Sequence, residues 1–136
     1  MKTCVLWDLE SIPFKYNCLV RKYINNEFNS VDYHFAPKYM AVSTKNIRLA
    51  RIKKKRAFEL IITEDLTKDG ADRILLKKAK EFRDRTIFLV SNDLRMAKKM
   101  YERGQDIVVF YNNKSISQLT LPFPTVHVYN NFAEGE

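Results

Sequence analysis

Short apolar runs alternate regularly with longer amphipathic stretches along this chain of 136 residues, and this alternation is what most constrains its fold. Five runs are apolar enough to be buried strands, at residues 2–7, 39–42, 58–63, 86–90 and 107–111. Strands of this kind, separated by helical patterns of about ten residues or more, are typical of parallel sheets covered on both faces. The pattern therefore predicts an α/β fold, a three-layer doubly wound domain around a central, mostly parallel sheet.

Helix signals fill the intervals between these strands. Ser11 as cap and Pro13 just inside predict a helix whose apolar stripe runs to Phe28, followed by a loop over residues 29–37. Further helices are predicted over residues 46–56, from about 70 to 82, and over 94–103, where Gly104 acts as a stop. Beyond Asn112 the signal weakens, although residues 126–129 fit an edge strand.

The handedness of the connections predicts the order of the strands. Helices can cover both faces through right-handed crossovers only if later strands are added on the opposite side of the first strand. This gives the order 3-2-1-4-5. Ligands of such sheets bind beyond the carboxyl ends of the strands at the switch point. We expect one domain over residues 1–136, with a core at about 2–112 and a C-terminal extension at 113–136.

Acidic residues stand where this topology would bring them together. Asp8 and Glu10 follow the first strand, Asp93 follows the fourth, and Asp72 begins a helix near the same edge. Each has an ordinary structural alternative, because Asp69 and Asp93 suit helix N-caps and Asp8 could simply end a strand. Taken together they favour a metal site, since crowded carboxylates raise one another's pKa and Mg²⁺ or Mn²⁺ is the usual compensation.

Composition narrows the partners and the compartment. A net charge of +8 points to a polyanion. No run approaches the roughly 18 to 20 apolar residues of a membrane span, and an acid comes too early for a signal peptide, so we expect a soluble, cytoplasmic protein without membrane contact. Cys4 and Cys18 form no CxxC pair or zinc cluster and are expected to be buried free thiols.

Three segments carry a family resemblance. Residues 5–11 (VLWDLES), 68–76 (KDGADRILL) and 88–96 (FLVSNDLRM) resemble, in order and spacing, the three acidic motifs of NYN domains, a branch of the PIN-like, flap-endonuclease-like nucleases. The resemblance covers the chain from about Cys4 to Tyr111. Two positions depart from the family pattern: Ser11 stands where Asn is usual, and Arg95 stands where a second acid is usual.

The resemblance implies a PIN-like fold and a divalent-metal-dependent ribonuclease, acting on single-stranded RNA, with one or two Mg²⁺ or Mn²⁺ ions. Asp8, Asp72 and Asp93 would be the catalytic metal ligands, and Glu10 would ligate through water. Support for these ligands, or contacts to phosphate, would come from Ser11, Asp69, Ser91, Asn92 and Arg95. Nucleic-acid contacts are expected from Lys68, Arg48, Arg51, Lys53, Lys54 and Lys55.

Three alternatives stay open at this point. Arg95 in place of an acid could weaken a second metal and leave a catalytically weak or inactive module that binds RNA or a protein, or it could grip phosphate. A receiver-like signalling domain would instead use Asp65 as phosphoacceptor and Ser91 as switch hydroxyl. Such domains have a Lys at the end of the fifth strand, where this chain has Tyr111 and Asn112. The sequence also leaves open a homodimer or a protein partner.

Overall fold

A central sheet of six parallel strands organises the molecule. The computed structural model describes residues 2–28, 30–50, 57–64 and 69–128. The strands are β1 (Thr3–Asp8), β2 (Lys38–Ser43), β3 (Glu59–Thr63), β4 (Thr86–Val90), β5 (Ile107–Tyr111) and β6 (Thr125–His127). The helices are α1 (Asn17–Glu27), α2 (Ser30–Phe35), α3 (Gly70–Glu81) and α4 (Leu94–Glu102), with 3₁₀ helices at Phe14–Tyr16, Thr44–Ala50 and Lys114–Gln118.

The strand order is 3-2-1-4-5-6, so the predicted fold class and the predicted order of the first five strands are confirmed. β1 lies between β2 and β4, with Asp8 beside Ala41 and Trp7 beside Val90. β2 and β3 therefore lie on one side of β1, and β4, β5 and β6 lie on the other. Right-handed crossovers on both faces of the sheet require this change of side. The expected edge strand near the C-terminus is β6, which extends the sheet next to β5.

One face of the sheet packs against α1 and α2. Side chains of alternate strand residues, among them Val5, Trp7 and Phe88, join the apolar stripe of α1 at Val20 and Ile24. Alternation places one residue in two on each face, which is why Trp7 belongs to this core and its neighbour Asp8 does not. Trp7 is fully buried, as expected for a residue of the first predicted strand at residues 2–7.

The other face packs against α3 and α4. Leu6 and Leu89 from the sheet meet Leu75 of α3 and Met96 and Met100 of α4. The first turns of both helices lie at the carboxyl edge of the strands, because each helix follows a strand directly or through a short connection. This layer therefore brings two helix N-termini to the same edge as the end of β1. Among the described residues, no helix is long and apolar enough to cross a membrane.

Residues 29–37 were expected to form a loop, but they contain the short helix α2. A lysine from β2 stabilises its end, because the Lys38 ammonium donates to the carbonyl oxygens of His34 (3.2 Å) and Ala36 (3.0 Å) and lies over the Tyr33 ring. Burial lowers the pKa of Lys38. This cap comes from a residue outside the helix, so the periodicity of the segment alone did not reveal it.

Three further expectations were wrong in detail. Ser11 does not cap a helix: a 3₁₀ turn at Phe14–Tyr16 precedes α1, without a side-chain cap. The basic helix expected over residues 46–56 is a 3₁₀ helix up to residue 50, kinked at Asn46, and residues 51–56 lie outside the described part. The Asn46 side chain donates to the Glu10 carboxylate from this kink. Of the two free thiols, Cys4 is buried but Cys18 is exposed on α1.

Candidate active site

An acidic depression of about 390 Å³ opens at the carboxyl edge of the sheet. It lies where β1 and β4 end side by side and where α3 and α4 begin. Its lining includes most of the described residues that the sequence singled out: Asp8, Glu10, Ser11, Asp69, Asp72, Asn92, Asp93 and Arg95. The topology thus brings acids from three separate segments of the chain to one open cavity.

Asp8 is the most buried of these acids, at 4% exposure. Its Oδ2 accepts a hydrogen bond from Ser91 Oγ at 2.9 Å, and its Oδ1 accepts from the backbone N–H of Glu10 at 3.2 Å. Burial raises its pKa to about 6, against the opposing effect of these two hydrogen bonds. The carboxyl is therefore held in one orientation in an environment that favours charge neutralisation.

Ser91 fixes two of the acids at once. It is fully buried directly after β4, and its Oγ accepts from the backbone N–H of Asp93 at 2.9 Å while it donates to Asp8. This hydroxyl joins the end of β1 to the start of α4. Both of its bonds go to protein groups, which suits a residue that positions Asp8.

Asp72 and Asp93 form a carboxyl pair. Burial first, and then the hydrogen bond to Asp93 and the charges of Asp8, Asp93 and Asp69, together raise the pKa of Asp72 to about 8. Partial burial tends to raise the pKa of Asp93. The hydrogen bond from Asp72 and those from the Met96 and Arg95 backbone outweigh burial and hold this pKa below its ordinary value. Of the two carboxyl groups, Asp72 is thus the one that favours the proton, because two adjacent carboxylates resist ionising together.

Asp93 also caps α4. Its Oδ1 accepts from the backbone N–H groups of Arg95 (3.0 Å) and Met96 (3.2 Å), so the capping role considered from the sequence is present. Both capping bonds use Oδ1, which leaves Oδ2 without a bond to α4. Asp69 differs, because it occupies the N-cap position of α3 but makes no side-chain capping bond.

Glu10 and Arg95 lie at the rim of the depression. The Glu10 carboxylate is exposed and accepts from Ser43 Oγ (3.2 Å) and from the Asn46 amide. Arg95 is 72% exposed at its side chain and lies 3.5 Å from Asp69 Oδ1, an exposed ion pair of little energetic weight. Arg95 is therefore able to exchange Asp69 for another anion.

Asn92 joins three loops of this edge through its side chain. Its Nδ2 donates to Asn112 Oδ1 (2.7 Å) and to the Ser11 carbonyl (3.4 Å), and its Oδ1 accepts from the backbone N–H groups of Asn112 (2.9 Å) and Asn113 (3.1 Å). Its own backbone N–H donates to Ser11 Oγ at 2.7 Å. These contacts use the full hydrogen-bonding capacity of the amide.

Replacing Asn92 by Ala is expected to destabilise the protein by about 1–3 kcal/mol, because its partly buried partners lose four hydrogen bonds at once. Asn92→Asp should be comparably harmful, since a carboxylate cannot donate to the Ser11 carbonyl or to Asn112 and adds charge beside Asp93. Urea denaturation followed by circular dichroism measures both. Asn25→Ala is the comparison, because Asn25 is exposed on α1; an equal loss in that variant would contradict the role given to Asn92.

The donor chemistry of the depression fits a hard divalent cation, because carboxylate oxygens are the ligands that Mg²⁺ and Mn²⁺ prefer. Within the described ranges, however, no three His, Cys, Asp or Glu side chains converge closely enough to hold a metal ion as they stand. Asp72 and Asp93 are occupied with each other, and Asp8 is bonded to Ser91. A cation would therefore have to replace the proton that Asp72 and Asp93 share.

Most of the basic residues that were expected to contact nucleic acid lie outside the described part of the chain. Arg48 is exposed on the 3₁₀ helix after β2, whereas Lys68, Arg51, Lys53, Lys54 and Lys55 lie outside the described residues, as does Asp65. Sequence reasoning missed Ser43, Asn46 and Asn112, which hold the acid and loop side chains of this edge. Their signal was the same one that identified Asp8 and Asp93: a polar residue at the carboxyl end of a strand.

The raised pKa of Asp72 predicts a stability that depends on pH. An acid whose folded pKa exceeds its unfolded value favours unfolding as it ionises, so the metal-free protein should lose stability between about pH 4 and about pH 8. Asp72→Asn removes this titration and should flatten the loss. Thermal unfolding in EDTA, from about pH 5 to about pH 8.5, measures it against Asp84→Asn, a variant of an exposed acid outside the depression. Identical pH profiles for the two variants would contradict the assignment.

No family model, curated protein or solved structure that was compared with the chain matches it.

Proposed function

We propose that this protein is a divalent-metal-dependent ribonuclease that hydrolyses phosphodiester bonds in single-stranded RNA. The observation that carries the proposal is the depression at the carboxyl edge of the sheet, where Asp8, Asp72 and Asp93 arrive from three elements. Burial, and to a smaller extent the neighbouring acids, raises the pKa of Asp8 and Asp72, and such perturbed groups in an open cavity mark functional sites. The resemblance of three segments to NYN domains supports the same activity.

Each acid has a distinct part in this proposal. Asp8 is oriented by Ser91, and Asp93 is oriented by the backbone of α4, so both present carboxylate oxygens without further ordering. Asp72 is the acid of the cluster that favours the proton, and release of this proton would complete the set of anionic ligands. A cation bound by these three residues would lower the pKa of a water and neutralise charge on the scissile phosphate. Glu10, exposed at the rim, would contact such a cation through water.

The preference for RNA rests on charge and on the family resemblance. A net charge of +8 favours a polyanion, and an open depression admits a flexible strand. We further propose that the protein acts in the cytoplasm, where a reducing environment would keep the exposed Cys18 as a thiol.

A second candidate is a catalytically inactive module of the same fold that binds RNA or a protein. Two observations favour it: Asp72 and Asp93 satisfy each other by sharing a proton, and Arg95 brings a positive charge to the rim. An arginine at this position opposes a second cation while still attracting phosphate.

The test is cleavage of end-labelled single-stranded RNA and of DNA with the same sequence by purified protein, in Mn²⁺, Mg²⁺ or EDTA. The proposal requires RNA cleavage in at least one metal and none in EDTA. RNA binding without cleavage in every metal would overturn the nuclease and leave the binding module. Faster cleavage of DNA than of RNA would correct the substrate while keeping the chemistry.

A further inference from the structure

A second, narrower cavity of about 110 Å³ adjoins the acidic depression and runs between α3 and α4. The two cavities share Asp69, Asp72, Asp93 and Arg95, so they form one continuous path. The narrower part adds Arg73 and Leu76 from α3 and Met96 and Lys99 from α4. We call this part the basic groove. Its mouth keeps the shared aspartates, and the residues that it adds between the helices include two cations, Arg73 and Lys99, and no acid.

Three basic residues follow the α4 side of this path. Arg95, Lys99 and Arg103 are spaced four residues apart, which places them in one row along the helix surface. All three are exposed. The guanidinium of Arg103 reaches towards α3, where its Nη1 donates to the Leu76 carbonyl at 3.3 Å. Arg95 and Lys99 therefore line the basic groove, and Arg103 lies beside its wall at Leu76. The row spans about 12 Å.

The charged side chains of this row make weak, exposed contacts within the protein. Arg95 makes an exposed contact with Asp69 at 3.5 Å, and Arg103 donates to the Leu76 carbonyl at 3.3 Å. Exposed pairs of this kind contribute little to stability. A polyanion that replaced them would release counterions and gain affinity without disturbing the core.

We propose that the basic groove binds the sugar–phosphate backbone of the nucleic acid next to the bond to be cleaved. This inference rests on the proposed function, since the acidic depression at its mouth would hold the scissile phosphate. Acids alone repel a polyanion, so a strand that reaches them needs adjacent cations to hold it. Arg95 stands at the junction of the two cavities, and Lys99 and Arg103 continue the path away from the acids.

The test removes charge from the basic groove and measures binding without cleavage. Lys99→Gln combined with Arg103→Gln is compared with Arg21→Gln combined with Lys22→Gln, which removes the same charge from α1 on the opposite face of the sheet. Fluorescence anisotropy of a labelled single-stranded oligoribonucleotide, in EDTA and over a series of salt concentrations, gives the affinities. Circular dichroism checks that each variant is folded, and the single charge reversal Lys99→Glu is a further variant.

The groove variant should bind roughly tenfold more weakly at low salt, with a salt dependence shallower by about 1.4, or about 0.7 for each of two lost phosphate contacts. The α1 variant should stay close to the parent. If the two double variants bind the oligoribonucleotide equally well, the proposal that the basic groove binds RNA is wrong. This holds whether both bind like the parent or both bind more weakly. The same proteins tested for cleavage in Mn²⁺ separate the two proposals: binding through the groove without cleavage contradicts only the nuclease, and cleavage with groove-independent binding contradicts only the groove.

Discussion

Replacing Asp93 by Asn is expected to abolish metal-dependent cleavage, with a loss of at least about 100-fold, because the site loses an anionic ligand. The fold should survive, since asparagine is as good an N-cap as aspartate and can still accept from the Arg95 and Met96 backbone. RNA binding in EDTA should be unchanged or slightly tighter, because one repelling charge is gone. Cleavage rates of end-labelled RNA in Mn²⁺ and thermal unfolding give the two readouts.

Asp84→Asn is the matched control for this experiment. It makes the same chemical change at an exposed position after α3, outside the depression. Asp8→Asn and Asp72→Asn should lose cleavage in the same way as Asp93→Asn. If Asp93→Asn cleaves as fast as Asp84→Asn in every metal, the acidic depression is not the active site, even if the parent protein is a nuclease.

The largest expected effect on stability comes from Trp7→Ala, which should lower the free energy of unfolding by about 3–5 kcal/mol. Trp7 is fully buried in β1 and packs on the rings of Phe14 and Phe58, with centroids 5.0 and 6.0 Å away. Its Nε1 donates to the Ile12 carbonyl at 2.8 Å. Truncation leaves both a cavity and an unsatisfied carbonyl at the loop that follows Asp8.

Trp7→Phe separates these two contributions. It keeps an aromatic ring but deletes the hydrogen bond to Ile12, and it should cost about 1–3 kcal/mol, mainly for the buried carbonyl that is left unpaired. Phe35→Ala is the control, because Phe35 is 77% exposed and its truncation should change stability by about 0.5 kcal/mol or less. Urea denaturation measures all three variants. A loss for Trp7→Ala no larger than that for Phe35→Ala would contradict the packing described here.

Arg95 connects the proposed activity with the inferred groove. The sequence left two opposite roles open for Arg95: it could weaken a metal site, or it could bind phosphate. In the fold it lies at the junction of both cavities with a weak partner in Asp69. Cleavage by the parent protein would favour the second consequence, because a positive charge at the rim then serves to hold the substrate.

The sequence by itself determined the fold class, the order of the first five strands and the edge at which the acids lie. Burial on both faces makes parallel strands apolar throughout, and the handedness of crossovers leaves few orders to choose from. Asp8 and Asp93 could be selected because they lie at or just beyond the carboxyl ends of two strands that the topology makes neighbours. Such inferences depend on local patterns and on rules that hold for all sheets of this type.

The tertiary structure alone decided the contacts between segments distant in the chain. Asn92 joins Ser11 and Asn112 across 81 and 20 positions, Lys38 caps α2, and Asp72 shares a proton with Asp93. None of these contacts has a periodicity or a spacing that a sequence displays. Each depends on the distance between side chains after folding, because hydrogen bonds and charge coupling act over a few ångströms in space and are independent of separation along the chain.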